Sequence, residues 1–184
     1  PLLAAEIARQ LTSDGFGAHV DVRAEIDHGT WVPFRHMYPD ADIPAVALSV
    51  NPSQTSICHY QLGRALAPLR DEGVLVIGSG GYSHNLRELA WQDAGAPIYP
   101  WVHAFTEAPR ARPLAGDLQG APDWEALPEA RRNHPTTEHL YPIYGALHAG
   151  GPGAVASRLC RWGAWRWTRS RSGSTWQAEC AAPS

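Results

Sequence analysis

A four-residue apolar run, Val74-Leu75-Val76-Ile77, is followed at once by Gly78-Ser79-Gly80-Gly81. Uninterrupted β-favouring residues with no polar partner predict a strand buried on both faces, the habit of parallel sheets. A glycine-rich turn after such a strand places the next residues, Ser83-His84-Asn85, at its carboxyl end, where open α/β sheets present reactive side chains. The upstream chain points the same way. Leu2, Leu3, Ile7 and Leu11 recur at helical spacing, and Gly15 closes that helix as a C-terminal cap would. His19 to Val22 fits a short strand and Pro44 to Val50 a buried one, with Asn51-Pro52-Ser53 as turn and N-cap. Ile57, Leu62, Leu66 and Leu69 then form one stripe of a helix running to about Glu72, kinked or shortened by Pro68 and ended by Gly73. A further helix is expected to begin near Ser83. Strand, helix, strand, turn, helix in this order predicts an α/β protein with a mostly parallel central sheet flanked by helices.

From Ala94 to Asn133 the chain is rich in Pro, Ala and Arg with weak periodicity, which predicts short peripheral helices and few core residues. Thr136 or Thr137 is placed to cap a final helix carrying His139, Leu140, Ile143, Tyr144 and Leu147, stopped by Gly150-Gly151-Pro152-Gly153. Residues 158–184 differ in kind: they hold four of the eight tryptophans and five of the fifteen arginines, against one acidic residue, Glu179. This Trp/Arg/Ser-rich tail shows neither helical nor strand burial logic and is expected to be disordered. At 184 residues the chain is the size of one domain with a core large enough to fold alone.

Composition excludes several classes. A net charge of −3, with arginine as the only cationic type besides histidine and no lysine at all, does not suggest a nucleic-acid surface. No apolar stretch approaches the roughly 20 residues that span a bilayer, and no signal-peptide pattern opens the chain, so a cytoplasmic small-molecule protein without a membrane partner is expected. Cys58, Cys160 and Cys180 are widely spaced and odd in number, which predicts free thiols and no zinc ribbon. The oligomeric state is left open.

Three histidines stand in distinctive segments: Asp27-His28-Gly29-Thr30-Trp31, Ser83-His84-Asn85-Leu86-Arg87 and Glu138-His139-Leu140-Tyr141-Pro142. Neutral imidazole binds first-row metals and also titrates near neutrality as a general acid or base, so a convergent set would be a candidate active site. A single histidine beside a turn is more often a hydrogen-bonded structural residue, the reading given to His19, His59, His103 and His148. His36 and His134, beside Met37-Tyr38-Pro39 and Pro135, are intermediate and could line a pocket.

Taken with Met37-Tyr38-Pro39, Asp42-Ile43-Pro44, Gly78-Ser79-Gly80 and Pro135-Thr136, these segments resemble the class III extradiol ring-cleavage dioxygenases, the 4,5-DOPA dioxygenase extradiol branch above all. The resemblance runs in consistent order over about residues 1 to 157. It implies a non-haem Fe(II) enzyme, or one holding Zn(II) as relatives do, that opens a catechol ring beside its hydroxyls and inserts both atoms of O₂. It further implies that His139 is a metal ligand, that His84 is either a metal contact or the acid/base, and that His28 acts at the substrate and oxygen pocket. His134 is assigned to substrate binding on the same reading.

The family pattern also places about 80 further residues, with two more ligand histidines, ahead of the point where this chain opens. On that comparison the expectation is a sheet incomplete on its N-terminal side and a metal site short of ligands. Two other classes remain in view: an inactive remnant or subunit, and a nucleotide- or phosphate-binding module built on Gly78-Ser79-Gly80-Gly81. The second fits poorly, since Ser83 stands where the dinucleotide fingerprint needs glycine and no lysine exists for a phosphate loop.

Overall fold

Apolar spacing dictates the first element: α1 (Leu2–Ser13) buries Ile7 and Leu11 and leaves Leu2 89 % exposed. The computed structural model describes residues 2–93, 95–108 and 123–150, and the backbone of strands at 156–161, 165–170 and 179–180. Gly15 ends the first helix as expected, donating its N–H to the Thr12 carbonyl at a φ of +89°. Strand β1 (Phe16–Gly17) follows, short of the His19–Val22 segment where a strand is expected from sequence.

Helix α2 (His28–Met37) has no counterpart among the elements expected from sequence. Its start is nonetheless local chemistry: the Asp27 carboxylate caps it, accepting from the Thr30 N–H at 3.0 Å. Helix α3 (Ser56–Leu66) is capped by Thr55, whose hydroxyl accepts from the Cys58 N–H at 3.2 Å. It buries Leu62 and Leu66 as the predicted stripe requires, but at its start Cys58 and His59 are buried and Ile57 turns outward, 55 % exposed. Pro68 converts the continuation to a 3₁₀ turn, Ala67–Arg70, which buries Leu69. Cys58 is disulfide-bonded, which corrects the expectation of three free thiols.

After the short helices α4 (Pro100–Thr106) and α5 (Ala130–Asn133), helix α6 (Pro142–Gly150) packs on α3 so closely that a Cβ on Gly63 would fall on the Gly145 carbonyl oxygen. Only glycine permits that approach. The final helix therefore starts later than predicted: His139 and Leu140 lie in a turn before it, with the Leu140 and Tyr141 N–H groups donating to the Thr137 carbonyl at 2.9 and 3.0 Å.

The sheet differs most from expectation. Helices and strands are mixed, but the ladders among the described residues are antiparallel: β2 (Gly81–Ser83) pairs with β4 (Trp165–Ser170), β4 with β3 (Ala156–Arg161), and β1 with β5 (Glu179–Cys180). Residues 44–50 and 74–77, the predicted parallel strands, form no strand; only an isolated bridge at Leu48 is present. Ala47 to Val50 and Val76 to Ile77 line one cavity of about 480 Å³, and Val46, Leu48, Val74 and Val76 pack in one hydrophobic cluster without forming a ladder. The helix expected near Ser83 is also replaced, by β2 and a 3₁₀ turn at Leu86–Glu88. In the tail, where disorder is expected from composition, the backbone of β3, β4 and β5 is strand.

Three clusters make the core among the described residues; the smallest is Leu89, Trp101 and Val102, and the two larger differ in kind. One is aliphatic: Ile7, Leu11, Leu62, Leu66, Leu69 and Val76, with Ala149. The other is aromatic: Tyr82, Phe105, Trp124, Tyr141 and Tyr144 with Leu127 and Leu140. The stretch from Ala94 to Asn133 does form short helices, among them α4, but it is not poor in core residues: Trp101, Val102, Phe105, Trp124, Leu127 and Ala130 are buried. Residues 109–122 of that stretch, and the Gly151-Pro152-Gly153 stop, lie outside the described residues. Among the described residues no helix is long and apolar enough to cross a membrane.

Candidate active site

The turn before α6 delivers His139, and the end of β2 delivers His84. Their imidazoles stack, with centroids 3.5 Å apart and planes 9° from parallel. Backbone contact brings the two segments together: the Gly81 N–H donates to the His139 carbonyl at 2.8 Å. Gly80 lies so near the same carbonyl that a Cβ there would fall on it. The glycine-rich turn therefore serves a close approach between two chain segments. It opens into a strand, not a helix, which removes the geometry a phosphate-binding loop requires.

Electrostatics around the pair are set by burial and by Glu138. The His139 Nδ1–H donates to the Glu138 Oε1 at 3.1 Å, and that oxygen also accepts from the Thr136 hydroxyl at 2.7 Å. Burial works against ionising Glu138, yet the Thr136 hydroxyl, its own backbone and His139 outweigh it and hold the carboxyl below its ordinary range. With Nδ1 engaged, His139 keeps its lone pair on Nε2. His84 is pushed down to about 4, by burial first and then by the neighbouring His139, with His28 adding to the same effect. It is neutral at physiological pH.

The predicted residues do not all converge. His139 lines the cavity, and so does His28, exposed at the first turn of α2. His84 backs His139 and is not itself on the cavity wall. His134 is 0 % exposed and donates its Nε2–H to the Tyr82 carbonyl at 3.2 Å, packed between Phe105 and Trp124. Expected at the substrate, His134 is instead enclosed by the aromatic core and is not among the residues lining this cavity. His36, in the last turn of α2, does not line it either.

The cavity also takes residues that sequence reasoning passes over. His59 lines it, its Nδ1–H donating to the Thr55 carbonyl at 2.8 Å and its ring 4.4 Å from that of Tyr141, another wall residue. Burial lowers its proton affinity against the opposing pull of that carbonyl. Its position in α3, four residues after the Thr55 cap, carries only the mark of a structural histidine, and no local signal distinguishes it.

The donor set fits a metal in kind but not in number. Two neutral-capable imidazoles and a carboxylate bonded to one of them are the chemistry of non-haem metal sites. Among the described residues, however, no group of three or more His, Cys, Asp or Glu side chains could hold a metal ion. Three protein ligands are usual at catalytic centres.

Comparison with known proteins places this geometry. Residues 1–142 match the family model described as the catalytic LigB subunit of aromatic ring-opening dioxygenase. The chain is 38% identical over 152 residues to the 4,5-DOPA dioxygenase extradiol of Mirabilis jalapa, covering 82% of this chain and 56% of that protein. To the enzyme of the same name from Beta vulgaris it is 39% identical over 161 residues, 86% of this chain and 59% of the relative. The chain thus spans well under two thirds of the length of these relatives. The crystal structure of the uncharacterized protein JW3007 from Escherichia coli K12 superposes with a TM-score of 0.79 at 30% identity, covering 94% of this chain and 72% of that one. With a family model matched over most of its length and relatives near 40% identity, the chain belongs to the family of the catalytic LigB subunit of aromatic ring-opening dioxygenases.

Proposed function

We propose that this chain serves extradiol ring cleavage, opening a catechol-type aromatic compound with O₂. The observation that carries the reading is the His84–His139 stack, with His139 on the wall of a cavity large enough for a single aromatic ring, in a chain of this family. Iron(II), or zinc as in relatives, is the metal in this proposal, with His139 and His84 as the donors the chain supplies. A bound metal would acidify the catechol and hold it and O₂ together. Two imidazoles fall short of the three ligands usual at such centres, so a metal held here needs a further donor.

His139 is suited to a ligand role because Glu138 and Thr136 fix its ring and leave Nε2 free. For His84 a proton affinity lowered to about 4, by burial first, supports one of the two roles left open by sequence. A neutral lone pair is what a ligand needs, whereas a base that weak takes a catechol proton poorly near pH 7. The ligand role is favoured. His28, exposed at the cavity edge, is the imidazole free to meet a catechol hydroxyl and shuttle its proton. His59 and Tyr141 supply flat aromatic walls for the substrate ring. The finer fold assignment, a family-type domain over residues 1–157 with a mostly parallel sheet, belongs to the same proposal; the antiparallel ladders among the described residues stand against its sheet.

The test is anaerobic reconstitution of the 184-residue chain with Fe(II), followed by metal content and the yellow ring-opened product of a catechol. Product that disappears in His139→Ala supports the reading. Binding of a nucleotide with neither metal nor product would move it to a binding module, and absence of all three would leave an association role.

A further inference from the structure

We propose that the segment Arg132-Asn133-His134 is a clamp that positions His84 against His139, with His134 and Asn85 as its two positioning side chains. Three hydrogen bonds reach across to residues on either side of the His84 imidazole. The His134 Nε2–H donates to the Tyr82 carbonyl at 3.2 Å. The His84 N–H donates to the Asn133 carbonyl at 2.8 Å. The Asn85 amide donates to the Arg132 carbonyl at 2.7 Å. A carbonyl can only accept, so His134 must be the Nε2–H tautomer.

The clamp is itself anchored. Asn133 is fully buried and its amide donates to the Trp101 and Glu129 carbonyls at 3.2 and 3.0 Å. The His134 N–H donates to the Ala130 carbonyl at 2.8 Å, and its ring sits 5.4 Å from Phe105 and 5.9 Å from Trp124. Outside, Arg132 closes the arrangement on Glu88 at 2.6 Å and lies 4.9 Å over the Trp101 ring. From the other side the Gly81 N–H holds the His139 turn. The backbone around His84 is thus attached to both segments that face it, at Asn133 through its own N–H and at His139 through Gly81. An apolar residue at 134 would fill the same volume but lose the buried donor that ties position 134 to the Tyr82 carbonyl.

The inference rests on the site proposed above but not on its turnover, so the test reads the imidazoles directly. In the full chain labelled with ¹⁵N-histidine, long-range proton–nitrogen spectra at neutral pH are expected to show His134 as the Nε2–H tautomer. His134→Gln keeps an N–H within reach and is expected to leave the His84 and His139 nitrogens at their parent positions. His134→Phe keeps the ring and removes the donor, and is expected to move both by more than a linewidth. Asn85→Ser keeps an oxygen to cap the Leu86–Glu88 turn while losing the reach to Arg132, and is expected to move His84. If His134→Phe folds and leaves both sites in place, or His134→Gln moves them equally, the clamp is overturned. Should His134→Phe fail to fold, Asn85→Ser decides alone: a stationary His84 overturns the proposal. Failure of ring cleavage with these spectra as expected would count against the reaction and leave the clamp standing.

Discussion

Around Leu69 the chain packs Ile7, Leu11, Leu62, Leu66 and Val76, all aliphatic and free of side-chain polar atoms. Around Trp124 it packs Phe105, Tyr82, Tyr141 and Tyr144, and among them lie Asn133 and His134 with no exposure at all. The first cluster is held by area removed from water, which is non-directional and tolerates repacking. The second adds hydrogen bonds whose loss strands a buried partner, so its geometry is specified more narrowly. The candidate site stands on the second: His84 hangs from the clamp, and His139 is followed by Leu140 and Tyr141 of the aromatic cluster. The aliphatic cluster supports the cavity's far wall through Leu62, Leu66 and Val76. One core supplies stability, and the other supplies stability together with position.

That contrast can be broken most forcefully by truncation on each side. Trp124→Ala is expected to cost about 3–5 kcal/mol in urea unfolding, and Leu69→Ala, also fully buried, about 2–5 kcal/mol. Only the tryptophan variant should also displace the His84 and His139 nitrogen resonances; equal displacement by Leu69→Ala would erase the distinction. Acid should discriminate next. Burial, chiefly, pushes His134 down to about 4 from an ordinary 6.5, so the unfolded chain takes up its proton first as pH falls. The stabilisation is complete above pH 6.5 and is lost progressively down to pH 4, roughly 3 kcal/mol in all. Unfolding followed across that window should show the loss in the parent and a shallower slope in His134→Gln. An unchanged slope would mean that other groups govern acid sensitivity.

A finer probe is Asn85→Ala, expected to cost about 1–2 kcal/mol through the lost bond to Arg132 and the lost cap on the Arg87 N–H. The smallest effect belongs to Glu88→Gln. Its bond with Arg132 lies at the surface, and exposed pairs contribute little, so the melting temperature should stay within about two degrees of the parent. A larger drop would show that the clamp depends on its outer pair more than its buried bonds.

Local chemistry makes part of this legible. The α1 stripe, the Gly15 cap, the Pro68 break in the second long helix and the Gly73 stop all follow from backbone and spacing rules that act within a few residues. His28, His84 and His139 are singled out by their segments, and the fold brings His84 and His139 into contact and seats His139 and His28 at one cavity. What fails is whatever depends on a distant partner. A run such as Val74 to Ile77 is extended by its own preferences, but whether it joins a ladder depends on what lies beside it, and here that is a cavity wall. Phe105 comes from a seven-residue helix and Trp124 from a single 3₁₀ turn, elements too short for a periodic pattern to stand out, and only packing assembles them.

His134 is the sharpest case. In sequence it is an imidazole beside a proline and next to a family motif, indistinguishable from a group that meets substrate. Enclosure by Phe105 and Trp124 and a bond to the Tyr82 carbonyl turn it inward. The sequence by itself determined the α1 stripe and its Gly15 end, the Pro68 break and the chemical type of each candidate group, because these act through bonds spanning few residues. Only the tertiary structure decided which imidazoles touch, which one is buried and how the sheet pairs, because those depend on which surfaces the folded chain removes from water.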